Sequence, residues 1–193
     1  MKALFLVATG FEDIEYTAPR DILVRAGVEV VTADCRIVRG PLPVRGGRGI
    51  EVLDLVPLSD IDIEGFDLLV VPGGGHAKGL ESNPEVLRAI RFFAEDPKRY
   101  LAAICAAPTI LGRMGLLRGR RYTCFPSMNE DFGGTFIQTY SVVDDHLITG
   151  DGPAASIQFG LAIVRTILGS EQCLRVGSAL YFEGIEEFAV SHG

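Results

Sequence analysis

Cys105 is the residue of this chain best placed by its neighbours to act as a nucleophile. The run from Tyr100 to Leu111 opens as an apolar stretch of strand length and, with no glycine linker, turns helix-compatible. Pro108 falls in the first turn of that helix, where a missing N–H costs nothing. Cys105 sits at the changeover. A side chain at such a turn is pushed out of the sheet toward the free N–H groups of the new helix, the geometry of a nucleophile elbow. Those N–H groups and the helix dipole favour thiolate over thiol, so the sequence predicts a pKa below the free-cysteine value of about 8.5. A buried structural cysteine at a strand end is the competing reading.

Two other stretches carry groups suited to the same chemistry. Pro72 is followed by Gly73, Gly74 and Gly75, and such a run lets backbone approach a reacting carbonyl and aim N–H groups at a developing oxyanion. A plain tight turn is the alternative. Neither phosphate-binding pattern is met, because no glycine loop ends in Gly-Lys-Ser or Gly-Lys-Thr and the sixth position of a dinucleotide fingerprint is Lys78. Acids crowd Glu12, Asp13 and Glu15, just after Thr9 and Gly10. Spacing alone does not choose among them.

The elements that must position these groups follow from hydrophobic patterning. Lys2 to Ala8, Val28 to Ala33, Phe66 to Val71 and the run from Tyr100 read as strands buried on both faces of a parallel sheet. A helix runs from the acids to Gly27, and Pro19 inside it predicts a kink or restart, with Glu15 on the loosened first turn. Between Cys35 and Pro57 prolines (Pro41, Pro43) and glycines break up two β-prone pieces, Ile37 with Val38 and Ile50 to Leu53, an excursion from the sheet. A helix starts at Asn83 and Pro84. Tyr140 to Val143 and Leu147 to Thr149 predict a hairpin across Asp144 and Asp145. Helices follow over Ala154 to Leu168 and Glu171 to Leu180, with an apolar tail able to dock on the body or a partner. This order gives a doubly wound α/β sheet whose loops gather at its carboxyl edge, so Glu12 to Glu15, the glycines and Cys105 converge on one crevice.

Composition narrows the functions available. At 193 residues the chain reads as one domain, residues 1–193, with 48% hydrophobic residues and a mean hydropathy of +0.28. A net charge of −7 argues against nucleic acid or an anionic membrane as the main partner. The apolar start is too short for a signal peptide, and no run approaches the ~20 apolar residues of a membrane span. A cytoplasmic protein is expected. Its cysteines at positions 35, 105, 124 and 173 form no CxxC pair and are expected as free thiols, with no metal site.

Four collinear motifs resemble the ThiJ/PfpI superfamily: Gly10 to Glu15, Pro72 to Gly75, Ala102 to Pro108, and Gly152-Pro153 followed by a helix. The chain is most similar to the Parkinson-linked deglycase branch and its bacterial relatives. The resemblance implies a flavodoxin-like, class I glutamine amidotransferase-like sandwich that forms homodimers and needs no cofactor. It also implies a reactive Cys105, a carboxylic acid partner at Glu15, and oxyanion donors from the backbone of Gly74, Gly75 and Ala106. A carboxyl desolvated beside a thiolate is pushed toward its protonated form and then donates to the sulfur, so the two titrate as a coupled pair.

Departures from the family pattern matter as well. Ala106 stands where peptidase-type members have His, which disfavours a Cys-His protease. Phe125 precedes Pro126 where animal deglycase-type members have His, leaving general base catalysis by histidine without an owner there. His76 is read as a loop-surface histidine, with lining of the crevice as the alternative. His146 and His192 are assigned nothing. Arg25 and Arg48 match basic positions that in relatives lie near the site across a dimer.

The resemblance implies an enzyme that processes reactive carbonyls: Cys105 attacks methylglyoxal or an early glycation adduct on a side chain, Glu15 moves protons, and water releases lactate. A redox sensor or holdase chaperone acting through oxidation of Cys105 uses the same two residues and is the alternative.

Overall fold

The computed structural model describes residues 1–38, 40 and 43–190. A seven-stranded sheet forms its centre, in the order β10 (Ser141–Asp144), β11 (Leu147–Gly150), β7 (Tyr100–Ile104), β6 (Leu68–Val71), β1 (Lys2–Val7), β2 (Glu29–Asp34) and β5 (Val56–Pro57). Every neighbouring pair is parallel except β10 with β11, the predicted hairpin. From the boundary between β1 and β6 the sheet grows outward through β2 and β5 on one side and in the reverse direction through β7, β11 and β10 on the other. That reversal opens a crevice at their carboxyl ends.

Helices cover both faces. Helix α1 (Asp13–Arg25) packs on α5 (Ser156–Leu168), which also carries α6 (Ser170–Ala179). The opposite face carries α2 (Ala77–Glu81), α3 (Pro84–Glu95) and α4 (Ala107–Arg113). The approach of α1 to α5 depends on Gly160, where an added Cβ would fall 2.8 Å from Ile22 Cδ1. Strands β1, β6 and β7 are sealed between these layers, which is why they read as unbroken apolar runs.

Several expectations change in detail. Helix α1 runs without a restart through Pro19, which simply leaves the Glu15 carbonyl without its i+4 donor. The excursion is a hairpin of β3 (Val44–Arg45) and β4 (Glu51–Val52), not built on Ile37 and Val38. Those two are exposed bends with no buried face to pattern them. Pro41 and His192 lie outside the described residues. Short elements lacked a periodic signal: β5, α2 and the parallel pair β8 (Arg121–Tyr122) and β9 (Thr135–Phe136). The tail forms α7 (Ile185–Val190), anchored by buried Ile185 against Gly177 and by a Phe182–Phe188 ring contact.

Candidate active site

Cys105 occupies the turn between β7 and α4 with φ of 64°, a left-handed conformation that costs a non-glycine residue roughly 1–3 kcal/mol. Backbone bonds on both sides hold it there. Its N–H donates to the Gly150 carbonyl at 2.9 Å, extending the β7–β11 ladder by one residue, and its carbonyl accepts the Phe125 N–H at 2.9 Å. The residue is 9% exposed at the carboxyl edge of the sheet.

Glu15, in the first turn of α1, is fully buried beside it. Its Oε2 accepts the Gly73 N–H at 2.8 Å, and its Oε1 is buried with no hydrogen-bond partner. Gly73 has to be glycine, since a Cβ would lie 2.8 Å from Cys105 Cβ, Glu15 Oε2 and the Ile104 carbonyl oxygen alike. Three elements therefore meet at one α-carbon.

Burial raises the Glu15 pKa to about 7. The Cys105 side chain and the Gly73 N–H pull it down, while Glu12 and Asp151 push it further up. The Cys105 thiol is pushed up as well, by burial first and then by the Glu15 carboxylate; the Ala106 and Gly74 N–H groups pull it down without prevailing. A sulfur ionised by the helix N-terminus alone is thus overturned: burial and the acid outweigh the dipole. When Glu15 holds its proton its repulsion vanishes, and its O–H becomes a donor that favours thiolate. The pair therefore titrates as a unit.

The remaining expected residues divide clearly. Gly74, at φ 102°, adopts a conformation suited to glycine and pairs with Phe11 in a β-bridge; Gly75 continues the turn and Ala106 precedes α4. Phe125, 40% exposed, borders the elbow, and its ring lies 3.4 Å from where a Cβ on Gly152 would sit. Pro126 opens a short 3-10 turn beyond it. His76 is not on the surface: it is 3% exposed, its Nδ1 bonded to the Ala8 N–H and its Nε2 to the Pro72 carbonyl. Arg25 ends α1, ten residues or ~15 Å of helix from Glu15, and pairs with Asp21; it does not line its own chain's crevice. Arg48 is exposed at the tip of the β3–β4 hairpin.

Three residues carry more than the sequence revealed. Gly73, not only its two successors, orients the acid. Asp13 accepts the backbone N–H groups of Arg48 (2.9 Å) and Ile50 (2.8 Å), tying the hairpin to the start of α1. Asp151, after β11, adds negative charge near Glu15. Among the described residues no group of three or more His, Cys, Asp or Glu side chains could hold a metal ion, and no helix is long and apolar enough to cross a membrane.

The model of the DJ-1/PfpI family matches residues 1–166, which include every group just described. The chain belongs to the DJ-1/PfpI family. Within the family it is 31% identical to Protein dj-1beta of Drosophila melanogaster, over 92% of this chain and 95% of that protein. It is 30% identical to the glutathione-independent glyoxalase DJR-1.2 of Caenorhabditis elegans, over 83% of this chain and 85% of that one. The crystal structure of VC2308 protein superposes with a TM-score of 0.87 at 28% identity, covering 98% of both chains. The fold is the flavodoxin-like, class I glutamine amidotransferase-like sandwich of that family.

Proposed function

We propose that the chain converts small reactive carbonyls, methylglyoxal or early glycation adducts, through Cys105 and Glu15 with no cofactor. The observation that carries this reading is the buried carboxyl beside the elbow sulfur, with the Gly73, Gly74 and Ala106 N–H groups around them. The sulfur adds to the aldehyde carbon, and the carbonyl oxygen takes the proton Glu15 holds, giving a hemithioacetal. The Glu15 carboxylate then carries the proton from that carbon to the neighbouring one while the hydroxyl proton passes to the ketone oxygen, so the aldehyde carbon is oxidised as the ketone carbon is reduced. The resulting thioester is cleaved by water, releasing lactate and restoring the thiol. Backbone N–H groups stabilise the oxyanion in the addition and hydrolysis steps.

The glyoxalase named among the relatives supports this class of substrate. Incubation with methylglyoxal should yield lactate, and Cys105→Ala should yield none. Equal lactate from both would overturn the reading. Absence of lactate from the wild type would favour a redox sensor, a reading prompted by the unpartnered Oε1 of Glu15. Oxidation of Cys105 by two equivalents of peroxide gives a sulfinate, whose oxygens a protonated carboxyl can bind.

The site belongs to a cytoplasmic homodimer in this reading. Sedimentation at micromolar concentration tests it: a dimer is expected, and a monomer would contradict it.

A further inference from the structure

The glycine turn is held by a histidine that the reaction above does not use. His76 Nδ1 accepts the Ala8 N–H at 3.0 Å, so that nitrogen carries no proton. Its Nε2 therefore carries the proton and donates to the Pro72 carbonyl at 2.9 Å. A backbone donor sets the tautomer. The backbone N–H of His76 also donates to the Gly10 carbonyl at 3.2 Å, and its ring meets Phe11 edge-on. One residue thus joins the ends of β1 and β6, on either side of the crevice.

The Pro72 carbonyl belongs to the same planar peptide unit as the Gly73 N–H, which donates to Glu15 Oε2 at 2.8 Å. Three glycines in a row have wide backbone freedom and cannot fix that plane themselves. A donor seated on its carbonyl end does so, and it polarises the N–H at the other end. We propose that His76 is a positioning residue for the Glu15–Cys105 pair, acting through the Pro72–Gly73 peptide plane. The proposal rests on reading those two side chains as sharing a proton. The groups acting on Glu15 are Glu12 and Asp151, which raise its pKa, and Cys105 and the Gly73 N–H, which lower it. Loosening the Gly73 bond removes one of the two lowering contributions, so Glu15 should keep its proton to higher pH.

The test is the pH profile of Cys105 alkylation by iodoacetamide, read by mass spectrometry in the wild type, E15Q, H76N and H76Q. Asn sets an acceptor near the position of Nδ1 and keeps the Ala8 bond, but leaves the Pro72 carbonyl without a donor. Gln sets an N–H near the position of Nε2 and keeps that donor. H76N should move the Glu15-dependent step upward by roughly half to one pH unit, and H76Q should restore the wild-type midpoint. Lowered melting temperatures in both variants with an unmoved midpoint would overturn the proposal, leaving His76 a purely structural clasp. A profile unchanged in E15Q would instead overturn the pair itself and this proposal with it. If H76N does not fold, nitrogen NMR shifts of wild-type His76 decide: protonation at Nε2 is expected, and protonation at Nδ1 overturns the relay.

Discussion

Cys105 and Cys173 are both hidden from solvent, yet their surroundings have little in common. Cys173, on α6, packs against α5 and directs its thiol to the Leu161 carbonyl; burial raises its pKa, and Arg165 opposes this. Cys105 has a left-handed backbone, two N–H groups and a fully buried acid around it. Burial therefore does not by itself set apart the thiol proposed to react. The difference lies in whether a second group can take or give a proton when the sulfur changes charge.

The largest expected effect comes from exchanging roles between these regions. Cys105→Ala should lower methylglyoxal turnover at least about a thousandfold, whereas Cys173→Ala should lower only stability, by roughly 1–2 kcal/mol. Parallel lactate assays and urea melts would blur the contrast if both variants lost turnover.

Next in size is the thermodynamic signature of Glu15. Folded Glu15 keeps its proton up to about pH 7, while the unfolded side chain loses it near 4.5. The folded state binds more protons across that window, so this residue's contribution declines as pH rises, by up to roughly 3 kcal/mol. His76 acts oppositely: burial lowers its folded pKa to about 4 from 6.5, so its contribution grows as pH rises between those values. Wild-type stability should vary little from pH 4.5 to 6.5, and Glu15→Gln should unmask a rise. Denaturant melts showing parallel wild-type and Glu15→Gln curves would place Glu15 outside a titrating pair.

Gly73→Ala should cost roughly 1–3 kcal/mol by overpacking, and it should slow Cys105 alkylation at pH 7 because the added methyl displaces the acid or the sulfur. Normal alkylation kinetics would show that the close approach of the three elements is dispensable. The smallest effect is expected at Asp13. Asp13→Asn keeps one acceptor for the hairpin and should cost about 1 kcal/mol, seen as faster amide exchange at Arg48 or Ile50. Unchanged protection at both amides would remove Asp13 as the hairpin's tie.

Much of this was legible in the chain itself. The elbow shows because a buried strand and a helix abut with no spacer, and the crevice follows from strand order. The direction of the Cys105 shift was not legible, because dipole arguments see the helix N-terminus but not the burial of a neighbouring acid. His76 misled for a related reason: polar residues after a glycine turn read as surface, and only the fold reveals two backbone groups waiting for its ring nitrogens. Ile37 and Val38 looked β-prone by residue type, yet no sheet face was there to receive them.

The most direct measurement is the ultraviolet thiolate absorbance of the wild type minus Cys105→Ala, followed against pH and repeated in the Glu15→Gln background. Two linked steps should collapse to one when Glu15 can no longer ionise. A single step with the same midpoint in both backgrounds would mean that Cys105 titrates alone.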